Sequence, residues 1–212
     1  MQPVTARRHA LAAGFTLIET LVALSVLGLT LAVGVPMMSG WVQSAKARGA
    51  VEFYAEGLAL ARQQAIAHNG VSRFALFPNA SNGQNDWQVD ICFPSAAPCT
   101  ATSSNWSTPT TAASNDPDPA APFLSVRRSA SALPKTSIMT VTLLPVGADD
   151  IYFTSLGWVN TLMPDRMTAI RLGPAPGLEA QIRPQALVVG LAGTTTKCDW
   201  SVAIPDSRAC PP

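Results

Sequence analysis

The longest apolar stretch of the chain runs from Phe15 to Val35 and is followed directly by Pro36. Its 21 residues include twelve Phe, Leu, Ile or Val side chains and one charged side chain, Glu19. A helix that rises ~1.5 Å per residue needs about 20 apolar residues to cross a hydrocarbon core of ~30 Å. The apolar side chains each gain roughly 0.3 to 0.6 kcal/mol in the bilayer, which outweighs roughly 3 kcal/mol for one carboxylate. The pattern predicts a membrane-spanning helix within residues 15–40, with a kink at Pro36, which has no amide hydrogen.

The pattern becomes amphipathic over residues 41–70. Apolar residues recur there at spacings of three and four positions, which is the period of one helix face. The apolar stripe consists of Val51, Tyr54, Leu58, Ala61 and Ala65. Asn69 and Gly70 favour a helix end, so a second helical half is predicted up to this point. Arg48 and Glu52 are spaced for an ion pair on its polar side.

After Gly70 the hydrophobic period changes to two, which is typical of β-strands with one buried face. The predicted strands are Val71 to Phe77, Trp87 to Phe93, Ser137 to Leu144, Ile151 to Thr154, Met167 to Leu172 and Ala186 to Leu191. Turn-forming pairs such as Asn82-Gly83 separate them. Strands that follow one long helix favour an α+β head over residues 71–212, in which an antiparallel sheet covers the apolar stripe of the helix.

Residues 1–14 form a short leader that carries Arg7 and Arg8. Basic residues beside a membrane span stay in the cytoplasm, so the head is expected in the periplasm. An ordinary secretory signal has a shorter apolar core followed by a small-x-small cleavage site, and this sequence has neither. Cleavage is instead predicted before the apolar stretch, between Gly14 and Phe15, where the glycine lets a protease approach the backbone.

Residues 94–122 interrupt the strand pattern, because they are rich in Ser, Thr, Ala, Asn, Asp and Pro, with Trp106 as the only large anchor. We expect a long loop there. The four cysteines are Cys92, Cys99, Cys198 and Cys210. Without a Cys-x-x-Cys motif in an exported chain, they indicate disulfides formed in an oxidising periplasm. Local pairing, the first with the second and the third with the fourth, is favoured, and the two crossed pairings stay open.

The six residues 14–19, Gly-Phe-Thr-Leu-Ile-Glu, together with the apolar helix and Pro36, resemble the class III signal of type IV pilins and type II secretion pseudopilins. The resemblance implies that a membrane-bound prepilin peptidase cuts after Gly14 and methylates the new amine of Phe15. A plain membrane anchor would explain the apolar stretch, but neither the Gly-Phe junction nor Glu19.

A carboxylate in lipid needs a cation, and the nearest one for Glu19 is the amine of Phe15. That amine belongs either to the same chain or to the neighbouring subunit. The resemblance implies the neighbouring subunit, so that Glu19 registers each incoming pilin against the one before. It also implies partners: other pilins or pseudopilins, an inner-membrane assembly platform and its cytoplasmic ATPase.

The whole order of elements resembles the GspH/FimT family of minor pilins and pseudopilins. The long helix with its Ala61 to Gly70 run, the strands with Ile151 to Trp158, and a cysteine-bearing tail carry this likeness. It implies a type IV pilin-like fold and a minor pilin of a type IV pilus, not an enzyme, that helps to initiate or cap assembly. The alternatives are a GspH-like pseudopilin of a type II secretion system and a FimT-like DNA-binding pilin in natural transformation.

Charge argues against a general polyanion binder. Removing the two leader arginines leaves 12 basic and 13 acidic residues, a net charge of −1. Some FimT-like proteins bind DNA through a Gly-Arg-x-Arg motif near the C-terminal end, where this chain has Gly-Thr-Thr-Thr-Lys, ending at Lys197. With Arg183 and Arg208, this lysine is the candidate DNA contact.

Signatures of catalysis and of metal binding are scarce in the sequence. It has neither a Gly-x-Ser-x-Gly nor a His-Glu-x-x-His motif, and the lysine of residues 190–197 does not directly follow a glycine, as a phosphate-binding loop requires. Once the leader is removed, His68 is the only histidine. We therefore expect no metal site and no cofactor.

Overall fold

A computed structural model describes residues 15–94 and 98–211. The predicted leader, with Gly14, lies outside the described residues. The chain divides into two compact units, Met1–Gly40 and Trp41–Pro212. The boundary falls where the sequence pattern changes from uniformly apolar to amphipathic.

One α-helix, α1 (Leu17–Ala67), accounts for both predicted helical halves. It ends three residues before the predicted limit, because Asn69 has a left-handed φ of 50°. The backbone N–H of Gly70 then donates to the carbonyl of Ala65 at 3.1 Å, which closes the last turn. The α-helix is continuous through residue 36, and the kink at Pro36 stays a prediction.

Eight strands follow α1 in the second unit. They are β1 (Val71–Pro78), β2 (Asn85–Cys92), β3 (Val126–Arg128), β4 (Met139–Leu144), β5 (Asp150–Phe153), β6 (Ala169–Pro174), β7 (Gln185–Val189) and β8 (Thr195–Cys198). The six predicted strands are all present, with bounds within two residues of those expected. The sequence did not predict β3 and β8.

The strands form two sheets, where one had been predicted. Sheet A has the order β3-β2-β1-β5 and sheet B the order β4-β6-β7-β8, and all pairs are antiparallel. The split arises because β5 pairs with β1 while β4, its neighbour along the chain, pairs with β6. The α+β class is confirmed, with two sheets on one helix.

Both sheets and the helix share one hydrophobic core. The predicted stripe of α1 is buried at all five positions, none more than 3% exposed. It packs with Phe74, Trp87 and Ile151 from sheet A and with Met139, Ile170 and Leu187 from sheet B. Gly57 sits where α1 passes closest to sheet A. A Cβ at this position would lie 2.5 Å from the ring of Phe74 and 2.9 Å from that of Trp87.

The predicted long loop covers the outer face of sheet A. Its described part, residues 98–122, has no helix or strand. The backbone N–H of Ser107 donates to the carbonyl of Ile91 at 2.8 Å, and the Ser107 hydroxyl accepts the N–H of Ile91 at 2.9 Å. Trp106 packs with Tyr152 in a second buried cluster. Strand β2 is therefore buried on both faces, although its alternation of apolar and polar residues predicts only one buried face.

Both disulfides join cysteines that are close along the chain. Cys92 is bridged to Cys99 at the start of the loop, and Cys198 is bridged to Cys210 in the C-terminal tail. This confirms the local pairing and excludes the crossed ones.

A buried polar cluster lies between sheet A and the loop. The carboxylate of Asp90 accepts hydrogen bonds from Arg73 Nε at 3.0 Å, Arg73 Nη2 at 2.7 Å and Gln88 Nε2 at 2.6 Å. Nearby, the Tyr152 hydroxyl donates to Asp150 at 3.0 Å. Burial raises the pKa of the Asp150 carboxyl, although Arg73 and the Tyr152 hydroxyl act in the opposite direction.

Candidate functional site

The apolar part of α1 presents large side chains on all sides of the helix. All twelve Phe, Leu, Ile and Val residues between positions 15 and 35 are exposed, from 53% for Leu27 to 82% for Phe15. Soluble monomers rarely expose apolar patches of more than a few hundred Å². By length and composition this helix is able to cross a membrane. Its surface needs an apolar environment, either lipid or other helices.

Glu19 lies in the first turn of α1. Thr16 directly precedes the helix, and its hydroxyl oxygen accepts the backbone N–H of Glu19 at 3.3 Å. Thr-x-x-Glu is the spacing of a capping box, and a carboxylate is also favoured at the positive end of the helix dipole. Within residues 15–94 and 98–211, no cation lies at ion-pair distance from Glu19. The sequence prediction had not identified Thr16 as the cap.

The cap that the structure shows joins the Thr16 hydroxyl to the backbone N–H of residue 19, so it does not need the charge of the Glu19 side chain. Glutamine fills the same position of a capping box as glutamate does. In the uncut chain the nitrogen of Phe15 is a peptide nitrogen, so a cationic amine would be present there only after the predicted cleavage. The charge of Glu19 is therefore the property that capping leaves unexplained.

The three basic residues considered as DNA contacts line one groove of the head. Arg183, Lys197 and Arg208 border a cavity of about 430 Å³, and Arg48 of α1 lies in the same wall. Strand β8 positions Lys197, and the Cys198–Cys210 bridge folds the tail back so that Arg208 lies beside it. We call this cavity the basic groove. The three candidate DNA contacts lie far apart along the chain, and the fold brings them to one cavity.

Carboxylates neutralise much of the basic groove. Lys197 Nζ donates to both carboxylate oxygens of Glu52, at 2.5 and 2.6 Å. The predicted pair of Arg48 with Glu52 is therefore wrong. Arg208 donates to Asp206 through Nη2 at 2.7 Å and Nε at 3.1 Å, and these hydrogen bonds lower the pKa of Asp206 to about 2.

Two cations of the groove have no such partner. In the described part of the chain, no carboxylate lies at ion-pair distance from Arg48 or Arg183. Phosphate-driven binding to nucleic acid needs several clustered cations, and the groove offers two. Across residues 15–94 and 98–211, no group of three or more His, Cys, Asp or Glu side chains is arranged to hold a metal ion.

The apolar segment of α1, with Glu19 in its first turn, is thus the most distinctive feature of the described residues. Comparison of the chain with profiles of known protein families, with curated proteins and with solved structures finds no match.

Proposed function

We propose that this chain is a minor pilin of a type IV pilus, a structural subunit that helps to initiate or cap pilus assembly. Its precursor is anchored in the inner membrane with the head in the periplasm. Prepilin peptidase removes residues 1–14 and methylates the amine of Phe15. The observation that carries this proposal is the apolar segment of α1, whose large side chains are all more than half exposed, with one carboxylate, Glu19, in its first turn.

Assembly follows from the chemistry of that segment. Lipid covers the apolar side chains before assembly, and only a bundle of similar helices covers them equally well afterwards. Extraction from lipid has to be driven, which is why the proposal includes an inner-membrane platform and its ATPase, with other pilins as the filament neighbours. In this filament Glu19 pairs with the methylated amine of Phe15 on the adjoining subunit, because a carboxylate among apolar helices is stabilised only by a cation.

Two substitutions separate the charge of Glu19 from its capping geometry. Glu19→Gln removes the charge and keeps the capping-box spacing, whereas Glu19→Ala removes the charge and the long side chain. Both keep the backbone N–H that Thr16 caps. We expect both variants to be inserted and cleaved normally, yet to be absent from sheared pili on immunoblots, because neither pairs with an amine. Thr16→Ala is the matched control, since it removes the cap and keeps the charge, and we expect it to assemble.

The outcome decides whether assembly depends on the charge of Glu19 or on the cap made by Thr16. Normal incorporation of Glu19→Gln together with failure of Thr16→Ala would make capping the function of this turn and contradict registration by charge. Deletion of the whole chain addresses the related pseudopilin: lost protein secretion with intact pili would assign the chain to a type II secretion system.

DNA binding in transformation is less well supported. The basic groove gathers Arg183, Lys197 and Arg208, which favours that function, but Glu52 and Asp206 neutralise two of the three. In gel-shift titrations we expect only weak binding of duplex DNA at low salt. Tight binding with a steep dependence on salt would support a DNA receptor instead.

A further inference from the structure

Three cations and one tryptophan lie in or beside the part of α1 that begins the second unit, at Trp41. They are Trp41, Lys46, Arg48 and Arg183, which we call the basic collar. Trp41 is 68% exposed, and the three cations are exposed as well. The collar begins six residues after the last residue of the apolar stretch.

Arg183 belongs to the collar because the turn that carries it packs against α1. The hydroxyl of Ser44 donates to the backbone carbonyl of Gln181. Arg48 and Arg183 also line the same cavity, of about 280 Å³. Arg183, far along the chain, thus adds its charge beside the turns of α1 that contain Ser44 and Arg48.

The positive charge of the collar is not neutralised within the described residues. No carboxylate lies at ion-pair distance from Lys46, Arg48 or Arg183 there. The nearest acidic residues along the chain are Glu52, which is bound to Lys197, and Glu179, which is exposed. Among the described residues, Arg48 and Arg183 are also the two unpaired cations of the basic groove, and Lys46 is the cation that the collar adds to them.

The geometry of the collar indicates the shape of its partner. Lys46 and Arg48 are two positions apart, so they point to nearly opposite sides of a helix with 3.6 residues per turn, only ~3 Å apart along its axis. Lys46 accordingly borders a different cavity from the one that Arg48 shares with Arg183. The carboxylates in the cavity beside Lys46, Glu52 and Glu56, are bound to Lys197 and Arg128, so neither pairs with Lys46. A rod-shaped partner such as duplex DNA, lying along one side of α1, would contact only one of Lys46 and Arg48. A flat surface crossed by α1 would contact both.

A membrane surface also has the matching chemistry. Tryptophan is enriched at the boundary between lipid and water, and long basic side chains extend along apolar surface to place their charge at headgroups. Anionic phospholipids supply phosphate groups of the opposite charge. A purely polar polyanion would offer no apolar surface to the exposed ring of Trp41.

We propose that the basic collar binds the phosphates of anionic phospholipid headgroups at the periplasmic surface and holds the head against the bilayer before assembly. This inference rests on the proposed function, because it requires α1 to span the membrane.

The test uses the full chain in lipid nanodiscs. Ala180, exposed in the turn that carries Arg183, is changed to cysteine and labelled with a fluorophore, since all four native cysteines are in disulfides. Energy transfer to acceptor-labelled headgroups reports how closely the head approaches the bilayer. We expect strong, salt-sensitive transfer in discs that contain phosphatidylglycerol and weak transfer in pure phosphatidylcholine.

Charge removal gives the decisive comparison. One basic residue at an anionic surface corresponds to about a fivefold change in binding. The variant Lys46→Gln, Arg48→Gln, Arg183→Gln should therefore lower the ratio of docked to undocked heads by about a hundredfold. The matched control, Lys135→Gln, Arg166→Gln, Arg171→Gln, removes the same charge elsewhere and should leave the transfer unchanged.

Several results would contradict binding of anionic headgroups by the collar. They are equal transfer in the two kinds of disc, no loss in the collar variant, and an equal loss in the control. A response to duplex DNA in phosphatidylcholine discs, with none to phosphatidylglycerol, would assign the collar to nucleic acid instead. Failure of the chain to insert into discs at all would contradict the proposed function itself, whereas insertion without a lipid response would contradict the collar alone.

Discussion

Replacement of Asp90 by asparagine tests how the loop is held on sheet A. The Asp90 side chain is fully buried and accepts three hydrogen bonds, two from Arg73 and one from Gln88. The amide of an asparagine at this position would have only one acceptor oxygen. Its NH₂ group would therefore lie against a donor N–H of Arg73 or Gln88, and one of these hydrogen bonds would be lost. Breaking one side of a buried ion pair costs roughly 3–5 kcal/mol. Because Arg73 keeps 19% exposure, we expect the lower end, about 3 kcal/mol.

The assay is urea unfolding of the full chain in detergent micelles with both disulfides intact. Tryptophan fluorescence is a suitable probe, because the Arg73 guanidinium lies 4.9 Å from the centre of the Trp106 ring. Asp206→Asn is the control, since its ion pair with Arg208 is exposed and should contribute little. A loss for Asp90→Asn no larger than for this control would refute the reasoning.

A double variant separates the lost charge from the lost packing. Arg73→Met combined with Asp90→Leu removes both charges and keeps apolar bulk, so it should cost less than the sum of the single changes. An additive result would mean that the two charges do not stabilise each other, contrary to the geometry.

Three further predictions concern a glycine, a buried carboxyl and the cleavage site. Gly193→Ala should destabilise the head by roughly 2–5 kcal/mol in the same assay, because φ is +74° and a Cβ would overlap the carbonyl oxygen of Gly157. Asp150→Asn should stabilise it at neutral pH. Burial raises the pKa of the Asp150 carboxyl, so the stability it contributes is present below its unfolded pKa of ~3.9 and is lost as the pH rises through the folded pKa. Gly14→Ala should leave the leader attached to Phe15, as mass spectrometry of the intact protein would show.

The first two of these predictions have controls within the chain. Gly177→Ala has a similar φ of +86° but open space around its Cβ, so it isolates backbone strain from overlap. Asp149→Asn removes an exposed neighbouring charge that adds a smaller contribution to the raised pKa of Asp150, so it should stabilise the head less than Asp150→Asn does. If Asp150→Asn still stabilised the head well below the unfolded pKa, where the carboxyl is neutral, burial of its charge could not be the cause. A methylated Phe15 in the Gly14→Ala variant would contradict the cleavage assignment.

Elements defined by local periodicity were predictable from the sequence. Tyr54 and Leu58 are buried because their spacing places them on one helix face, whatever the sheets do. The six predicted strands follow from alternation in the same way. The local disulfides were the favoured pairing because a short loop is easily closed.

Features that depend on distant partners were not predictable. Strand β3 contains Arg127 and Arg128 and shows no alternation of apolar and polar residues. It forms a strand because its backbone pairs with the free edge of β2. In the sequence, Asp90 lies at a polar position of an alternating strand, which predicts an exposed side chain. It is buried because the loop of residues 98–122 covers this face of sheet A. Likewise, Lys197 lies 145 positions from Glu52, so no helical spacing rule could find their pair.

Gly57 sets a condition on how related sequences diverge. A descendant with any side chain at this position has to shrink the ring at 74 or at 87, so these three positions are expected to change together. Gly28 and Gly34 differ, because a Cβ at either would meet nothing within 4 Å in the single chain. If an alignment of relatives shows glycine retained at 28 and 34, the selective pressure comes from outside the chain, from helices packed against it.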